Sequence, residues 1–244
     1  MQRLSDRTPR YFVALALALF AAHAASQETL LTEEKTFSLP SYVTLGGKTI
    51  RDVRVGYETY GKLNAAGTNA IFVAHFFTGN SHAAGRYKPD DKAAGYWDAI
   101  IGPGKAIDTV RYFVVSADAL ANVNVKDPNT VTTGPATVNP ETGKPYGSSF
   151  PVITYRDSVR VHRALVDSLG VKKLVATAGA SGGSLQAMEW AAAYPDFVER
   201  VVHVIGPGLD ITPFVVGLLD IWMMPIRLDP RWKGGDYFGG EAPR

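Results

Sequence analysis

The stretch ATAGASGGSLQAMEW, residues 176–190, places small residues around one serine, Ser181, between an apolar run and a helical pattern. Its centre, GASGG (179–183), matches G-x-S-x-G, the pattern of a strand-to-helix turn that carries a nucleophilic serine. Such a turn tolerates only small neighbours, here Gly179 and Gly183. A serine that merely caps the following helix is the structural alternative. The pattern predicts that Ser181 is a nucleophile.

Apolar runs around this turn predict the sheet that would carry it. They lie at residues 69–75, 111–117, 173–178 and 200–206. They lack alternation, as expected for parallel strands buried on both faces. Helical spacing separates the last three runs, over 155–169, with Gly170 as the expected stop, and over 185–192. This order predicts an α/β fold with a parallel sheet and right-handed crossovers.

An antiparallel hairpin is expected to precede the parallel strands. Residues 41–61 alternate apolar and polar side chains, and Gly46-Gly47 form the predicted two-residue turn. One face carries Val53, Val55, Tyr57 and Thr59. A hairpin that leads into a parallel sheet resembles the layout of the α/β-hydrolase fold. The predicted fold is therefore a mostly parallel sheet with an N-terminal antiparallel hairpin.

The remainder of the chain predicts a long loop and a lid. Residues 120–151 lack periodicity and are rich in Pro, Gly, Asn and Thr, which is typical of a loop. The apolar run FVVGLLDIWMM (214–224) favours a lid helix packed over a pocket, with a helix lying on a membrane as the alternative; Asp220 argues against a membrane span. We expect a hydrolase-type core with an incomplete sheet over 27–208 and the start of a truncated helical lid over 209–244.

The first 26 residues resemble an export signal. Three arginines lie within residues 1–10, an unbroken apolar run follows over 11–22, and small residues come next. An A-x-A pattern favours cleavage after Ala24, with cleavage after Ser26 as the second choice. A membrane anchor is the alternative, but this run spans only about 18 Å as a helix, against a hydrocarbon core of about 30 Å. The protein is therefore predicted to be exported, periplasmic or secreted, without a stable membrane span after cleavage.

Composition excludes several classes of function. The chain is 46% hydrophobic and 20% charged, which is ordinary for a globular protein. Its formal charge of +2 lies wholly in residues 1–26, so the remainder is balanced and no nucleic-acid partner is predicted. Cysteine is absent, which excludes disulfides and cysteine-type zinc sites. No metal and no bound cofactor are predicted.

A second oxyanion donor is expected from the loop after an earlier strand. The segment AHFFTGNSHAAG (74–85) follows the apolar run that begins at residue 69, and Phe77 is the predicted backbone donor. It would act beside the N–H of Gly182, the residue after Ser181, at the start of the next helix. The phenylalanine side chains there are equally suited to form pocket walls.

Five collinear motifs together resemble the homoserine O-acetyltransferase family. They are AHFFTGNSHAAG (74–85), GYWDAIIGPGKAIDTVRYFVV (95–115), TGPATVNPETGKPYGSSFPVITYRDSVR (133–160), GASGGSLQAMEWAAAYPD (179–196) and IRLDPRWKGGDY (226–237). The resemblance implies an α/β-hydrolase fold and ping-pong transfer of acetyl from acetyl-CoA to an amino-acid hydroxyl. By the match, Ser181 is the nucleophile and Phe77 and Gly182 are the oxyanion donors. A homodimer formed through the lid is also implied.

Some residues depart from the family pattern. The family's turn usually reads GGSMGGMQ, whereas this chain has Gly182 in place of the first methionine and Ser184 in place of the later glycine. The family's TGD is TGN here (78–80), and the usually polar start of the lid is apolar. These changes affect the pocket rather than the fold, so the acyl donor and acceptor stay open.

The base of the expected triad has no candidate in this chain. Triads of this fold run in the order Ser, then Asp or Glu, then His, and only His203 follows the nucleophile. It lies within a predicted strand and is expected to be a core histidine, and Asp196 is too close to the nucleophile to be the acid. His75 and His82 precede the nucleophile and are predicted to be structural, with substrate contact as an alternative for His82. By the resemblance, the triad Asp and His lie beyond the position matching Arg244 and are absent here.

Three functions therefore remain open. The first is acyl transfer of the homoserine O-acetyltransferase type, supported by the five motifs. The second is an exported esterase on the same scaffold with water as acceptor, favoured by the export signal because acetyl-CoA is cytosolic. The third is an inactive fragment, since a serine without a base loses several orders of magnitude in rate.

Overall fold

The computed structural model describes residues 29–206 and 212–243 of the chain. Within them the strands are β1 Lys35–Val43, β2 Thr49–Tyr60, β3 Ala70–Ala74, β4 Ile101–Gly102, β5 Ile107–Asp108, β6 Phe113–Ala117, β7 Leu174–Ala180 and β8 Val201–Val204. The α-helices are α1 Tyr155–Ser168, α2 Gly182–Ala193 and α3 Pro213–Leu228, and short 3₁₀ helices cover Gly147–Ser149 and Pro230–Gly235.

The predicted export signal, residues 1–26, lies outside the described residues. None of the helices in the described part of the chain is both long enough and apolar enough to cross a membrane.

Six strands form one sheet in the order β1-β2-β6-β3-β7-β8. β2 pairs antiparallel with β1 and with β6, whereas β6, β3, β7 and β8 run parallel to one another. β4 and β5 form a separate two-stranded pair. The prediction of a mostly parallel sheet with an N-terminal antiparallel hairpin is confirmed.

The hairpin connection differs from the prediction. Five residues, 44–48, join β1 to β2, rather than a two-residue Gly46-Gly47 turn. The N–H of Thr44 donates to the carbonyl of Lys48 at 2.9 Å, and Gly47 takes the positive φ of +74° that closes the turn. The loop is longer because it reaches α1, where the N–H of Leu45 donates to the Asp157 carboxylate at 2.8 Å.

The core lies around the central strands. β3 and β6 are buried along their whole length, as the unbroken apolar runs predict. Phe72 of β3 contacts Trp190 of α2 and His162 of α1, each with ring centroids 5.1 Å apart. Both helices therefore pack against the central strands, and this packing fixes where the turn between β7 and α2 stands.

Two features of the C-terminal half contradict the sequence-based expectations. β8 is mostly exposed, because within the described residues it pairs with β7 alone, and His203 on it is an exposed rather than a core residue. α3 forms where a lid helix is predicted, but none of its residues is buried. α3 packs against the following 3₁₀ helix and lines no part of the cavity beside Ser181, so the expected lid packing is not seen.

Candidate active site

Ser181 occupies the turn between β7 and α2 in a strained backbone conformation. Its φ of 53° and ψ of −120° lie in a region that residues with a side chain rarely adopt. The Ser181 N–H donates to Val204 of β8 at 3.0 Å, and the Ser181 carbonyl accepts from the N–H of Ser184 at 3.0 Å. These bonds hold the residue in a strand–turn–helix geometry that leaves its side chain exposed.

The glycines of this turn are there because nothing larger fits. A Cβ on Gly179 would overlap the carbonyl of Gly183, and a Cβ on Gly183 would overlap the carbonyl of Ala74 in β3. The Ser181 hydroxyl makes no capping hydrogen bond to α2, so the helix-cap alternative is not seen. The predicted roles of Gly179 and Gly183 as turn residues therefore have a steric basis.

The two predicted oxyanion donors lie side by side. The position of a Cβ on Gly182 would be only 3.2 Å from the backbone nitrogen of Phe77. Neither the Phe77 N–H nor the Gly182 N–H donates to another described residue. Gly182 is also the first residue of α2, where the helix dipole favours negative charge. These features make the pair a candidate oxyanion hole.

A cavity of about 400 Å³ opens beside these donors. Phe77 and Gly182 form part of its wall, and Leu120 and Ile153 add apolar surface. The buried Gln186 also faces it, and the side-chain Oε1 of Gln186 has no hydrogen-bond partner among the described residues. Phe77 is thus both a candidate backbone donor and part of the pocket wall, the two roles that the sequence analysis offers for it.

The loop that carries Phe77 is fixed by two histidines. His75 donates from Nδ1 to the Phe76 carbonyl at 2.7 Å and accepts at Nε2 from the N–H of Ala119 at 3.0 Å. Burial lowers the pKa of His75, which keeps the ring neutral. His82 lies 3.0 Å from the buried Glu58 carboxylate. These contacts fit the structural role predicted for both histidines.

No base for Ser181 is found in the described part of the chain. No described residue is hydrogen-bonded to its Oγ, and His203 lies on the exposed strand β8. Over residues 29–206 and 212–243, no three His, Cys, Asp or Glu residues are grouped to hold a metal ion. The geometry therefore presents a candidate nucleophile beside two candidate oxyanion donors, and acyl transfer needs a base in addition.

The sequence matches no family model, but it is similar to several curated proteins. A homoserine O-acetyltransferase from Moorella thermoacetica is 46% identical over 198 residues, which are 81% of this chain and 51% of that relative. One from Carboxydothermus hydrogenoformans is 42% identical over 214 residues, 88% of this chain and 55% of that relative. The chain spans about half the length of the curated relatives it matches.

Similarity to solved structures identifies the fold. A homoserine O-acetyltransferase from Bacillus anthracis is 44% identical with a TM-score of 0.84, over 88% of this chain and 57% of that one. The chain is an α/β-hydrolase-fold homologue of homoserine O-acetyltransferases. Esterase E22 is also similar, at 53% identity and a TM-score of 0.82, over 85% of this chain and 56% of that one.

Sequence reasoning missed a pair of carboxyl groups, the half-buried Glu34 and the buried Asp118. A Cβ on Gly56 would overlap Oε1 of Glu34 and come within 2.6 Å of Oδ2 of Asp118, so the two carboxyls face each other. Burial, reinforced by the charge of Asp118, raises the pKa of Glu34 to about 8. Burial raises the pKa of Asp118 to about 7. No local pattern signals this pair, because the two residues come from distant segments.

The carboxyl pair helps to hold the loop that carries Phe77 in place. Asp118 accepts from the backbone N–H of Ser81 and of Val131, each at 2.8 Å. Glu34 accepts from the Ser81 hydroxyl at 2.8 Å. Ser81 lies four positions after Phe77, so the pair connects the donor loop to the long loop over 120–151.

Proposed function

We propose that the chain performs serine acyl transfer of the homoserine O-acetyltransferase type. The observation that carries this proposal is the adjacency of two free N–H groups, from Phe77 and Gly182, beside the strained turn that presents Ser181. A base takes the hydroxyl proton while Oγ attacks the acyl carbon, and the two N–H groups stabilise the oxyanion that forms.

The second half of the reaction transfers the acyl group. With acetyl-CoA as co-substrate, the carbon–sulfur bond breaks, and the thiolate leaves with the proton held by the base. The acceptor hydroxyl then attacks acetyl-Ser181 and gives its proton to the base; the bond between the acyl carbon and Ser181 Oγ breaks, and the base returns the proton to Oγ. The 46% identity with the Moorella thermoacetica homoserine O-acetyltransferase supports an amino-acid hydroxyl as the acceptor. No organic cofactor or metal enters these steps.

Ester hydrolysis is the second candidate. The 53% identity with esterase E22 favours it, because the same acyl-serine would then be released by water. Transferase and hydrolase differ in which acceptor the pocket admits and in how well it excludes water. Acetyl-CoA with homoserine, compared with p-nitrophenyl acetate alone, separates the two: release of thiol that depends on homoserine supports transfer.

Labelling with a fluorophosphonate tests the nucleophile directly. We expect covalent labelling at Ser181, located by peptide mass spectrometry, and complete loss of labelling in Ser181→Ala. Ser168→Ala, at the far end of α1, is the matched control and should label like the wild type. Imidazole in the reaction supplies an external base, since no described residue contacts the Ser181 hydroxyl through a hydrogen bond. Wild-type protein that stays unlabelled would support the inactive-fragment alternative.

Export and association complete the proposal. The charged start and apolar run of residues 1–26 support export to the periplasm or the medium, and the N-terminus of secreted protein, at residue 25 or 27, tests it. The exposed apolar surface of α3 supports a homodimer formed through this helix.

A further inference from the structure

Tyr155 stands closer to the reactive turn than its place in the sequence suggests. It is the first residue of α1, yet its hydroxyl lies 3.2 Å from the position that a Cβ on Gly182 would take. The backbone nitrogen of Phe77 is 3.2 Å from the same position. The phenol hydroxyl and the Phe77 nitrogen therefore lie close to the same point on Gly182, the residue after Ser181.

The hydroxyl of Tyr155 is free to bind a ligand. It makes no hydrogen bond to a residue in the described part of the chain, and the side chain lines the cavity next to Phe77. The residue is 39% exposed, so its side chain is accessible to a ligand in this cavity. Burial raises the pKa of Tyr155, which keeps the hydroxyl protonated and able to donate.

The two residues after Tyr155 fix its position. Arg156 forms an ion pair with Glu189 of α2, which joins the start of α1 to the helix that carries Gly182. Asp157 accepts hydrogen bonds from the β1–β2 hairpin and caps α1 together with Thr154. A donor held from both sides needs little reorganisation when charge develops in front of it.

The absence of a side chain at position 182 makes room for this hydroxyl. The family's usual turn motif has methionine after the nucleophile, and this chain has glycine. The Tyr155 hydroxyl is 3.2 Å from the position of a Cβ at residue 182, closer than most Cβ contacts, so a side chain there would crowd it. Glycine at this position therefore leaves the polar hydroxyl beside the candidate oxyanion donors.

We propose that the Tyr155 hydroxyl is a third hydrogen-bond donor to the acyl oxygen during acyl transfer at Ser181. This inference rests on the proposed function, since it assigns a role within the same reaction. As Oγ adds to the carbonyl carbon, the oxygen gains negative charge and accepts bonds from the Phe77 N–H, the Gly182 N–H and the Tyr155 O–H. The Tyr155 proton stays on its oxygen throughout, so the donor stabilises charge without transferring a proton.

The test compares Tyr155→Phe with wild type by fluorophosphonate labelling of the full chain in the presence of imidazole. The phosphonyl oxygen occupies the place of the acyl oxygen. We expect the limiting labelling rate constant to fall by about 10- to 100-fold, with the half-saturating probe concentration unchanged. Tyr194→Phe, at the other end of the α1–α2 pair, is the matched control and should label like the wild type. A purely structural role would lower the melting temperature instead.

Gly182→Ala gives an independent second measurement. Its new methyl group would stand 3.2 Å from both the Tyr155 hydroxyl and the Phe77 nitrogen and crowd them, so labelling should slow. In the Tyr155→Phe background the same change should cost less, because the crowded hydroxyl is already gone, and the two effects will not add.

The outcomes separate this inference from the function it rests on. Unlabelled wild-type protein would overturn both. Labelling at Ser181 that proceeds at the same rate in Tyr155→Phe would leave the proposed function standing and overturn the role of Tyr155. Additive effects of the two substitutions would likewise contradict the shared site.

Discussion

Glu34 and Asp118 show how a single buried pair can make the stability of this fold depend on pH. Their carboxyl groups face each other across Gly56, which has no side chain to separate them. With pKa values raised to about 8 for Glu34 and about 7 for Asp118, the pair holds a proton near neutral pH. Loss of that proton would leave two like charges in a poorly solvated place.

We predict that Glu34→Gln stabilises the protein at alkaline pH. The pKa of Glu34 is raised on folding, from 4.5 to about 8, so the folded state binds a proton that the unfolded state releases. Its contribution is fully present below the unfolded pKa and is lost as pH rises through about 8. Urea unfolding from about pH 5 to about pH 9 should show a decline in wild-type stability that is weaker in Glu34→Gln.

Glu33→Gln is the control for this series. Glu33 is adjacent in sequence but exposed, and its contact is a surface ion pair with Lys35. Its removal should leave the pH dependence of the wild type intact. Equal slopes for Glu34→Gln and the wild type would show that Glu34 titrates normally.

At the scale of the element, the start of α1 is tied to the β1–β2 hairpin through Asp157. The Asp157 carboxylate accepts hydrogen bonds from the Tyr42 hydroxyl, the Leu45 N–H, and the N–H and hydroxyl of Thr154, all between 2.7 and 2.8 Å. It completes a capping box with Thr154 and anchors the hairpin turn. The pKa of Asp157 stays below its ordinary value, since these bonds outweigh the opposing effect of burial.

We predict that Asp157→Ala lowers the free energy of unfolding by about 2–4 kcal/mol, because it removes a helix cap and several partly buried hydrogen bonds to a charged acceptor. Guanidinium unfolding measures it. Asp167→Ala removes the exposed ion pair with Arg163 on the same helix and should cost less than about 0.5 kcal/mol. If both variants lost a similar free energy of unfolding, the hydrogen bonds of Asp157 would contribute no more to stability than the ion pair of Asp167, and the prediction would be wrong.

The elements that were predictable are those whose signals are local. Apolar spacing and Gly170 located α1, and the small-residue turn located the junction of β7 and α2. Burial of β8 and the packing of α3 depend on what lies beside them, which periodicity does not encode. For the same reason the contact between Tyr155 and Gly182 could not be predicted from the sequence, although each residue lies within a motif quoted above.

At the scale of the whole molecule, α3 presents an extensive apolar surface, since none of its residues is buried. Most of the large apolar side chains among its sixteen residues are exposed, among them Phe214 at 77%, Trp222 at 65% and Leu228 at 75%. Apolar surface of this extent is typical of an interface. The charged residues of the helix are Asp220 and Arg227, which form an ion pair with each other.

We predict that the chain associates through α3. Sedimentation velocity at micromolar concentration should show dimers or larger species, and Trp222→Lys combined with Leu219→Glu should shift the protein towards monomer, because burying these charges opposes association. Val110→Lys, an exposed apolar residue before β6, is the matched control and should leave association unchanged. A monomeric wild type would contradict the proposed dimer. An oligomer that both the α3 and control variants retain would place the contact on another surface, and the exposed edge of β8 is the next to test.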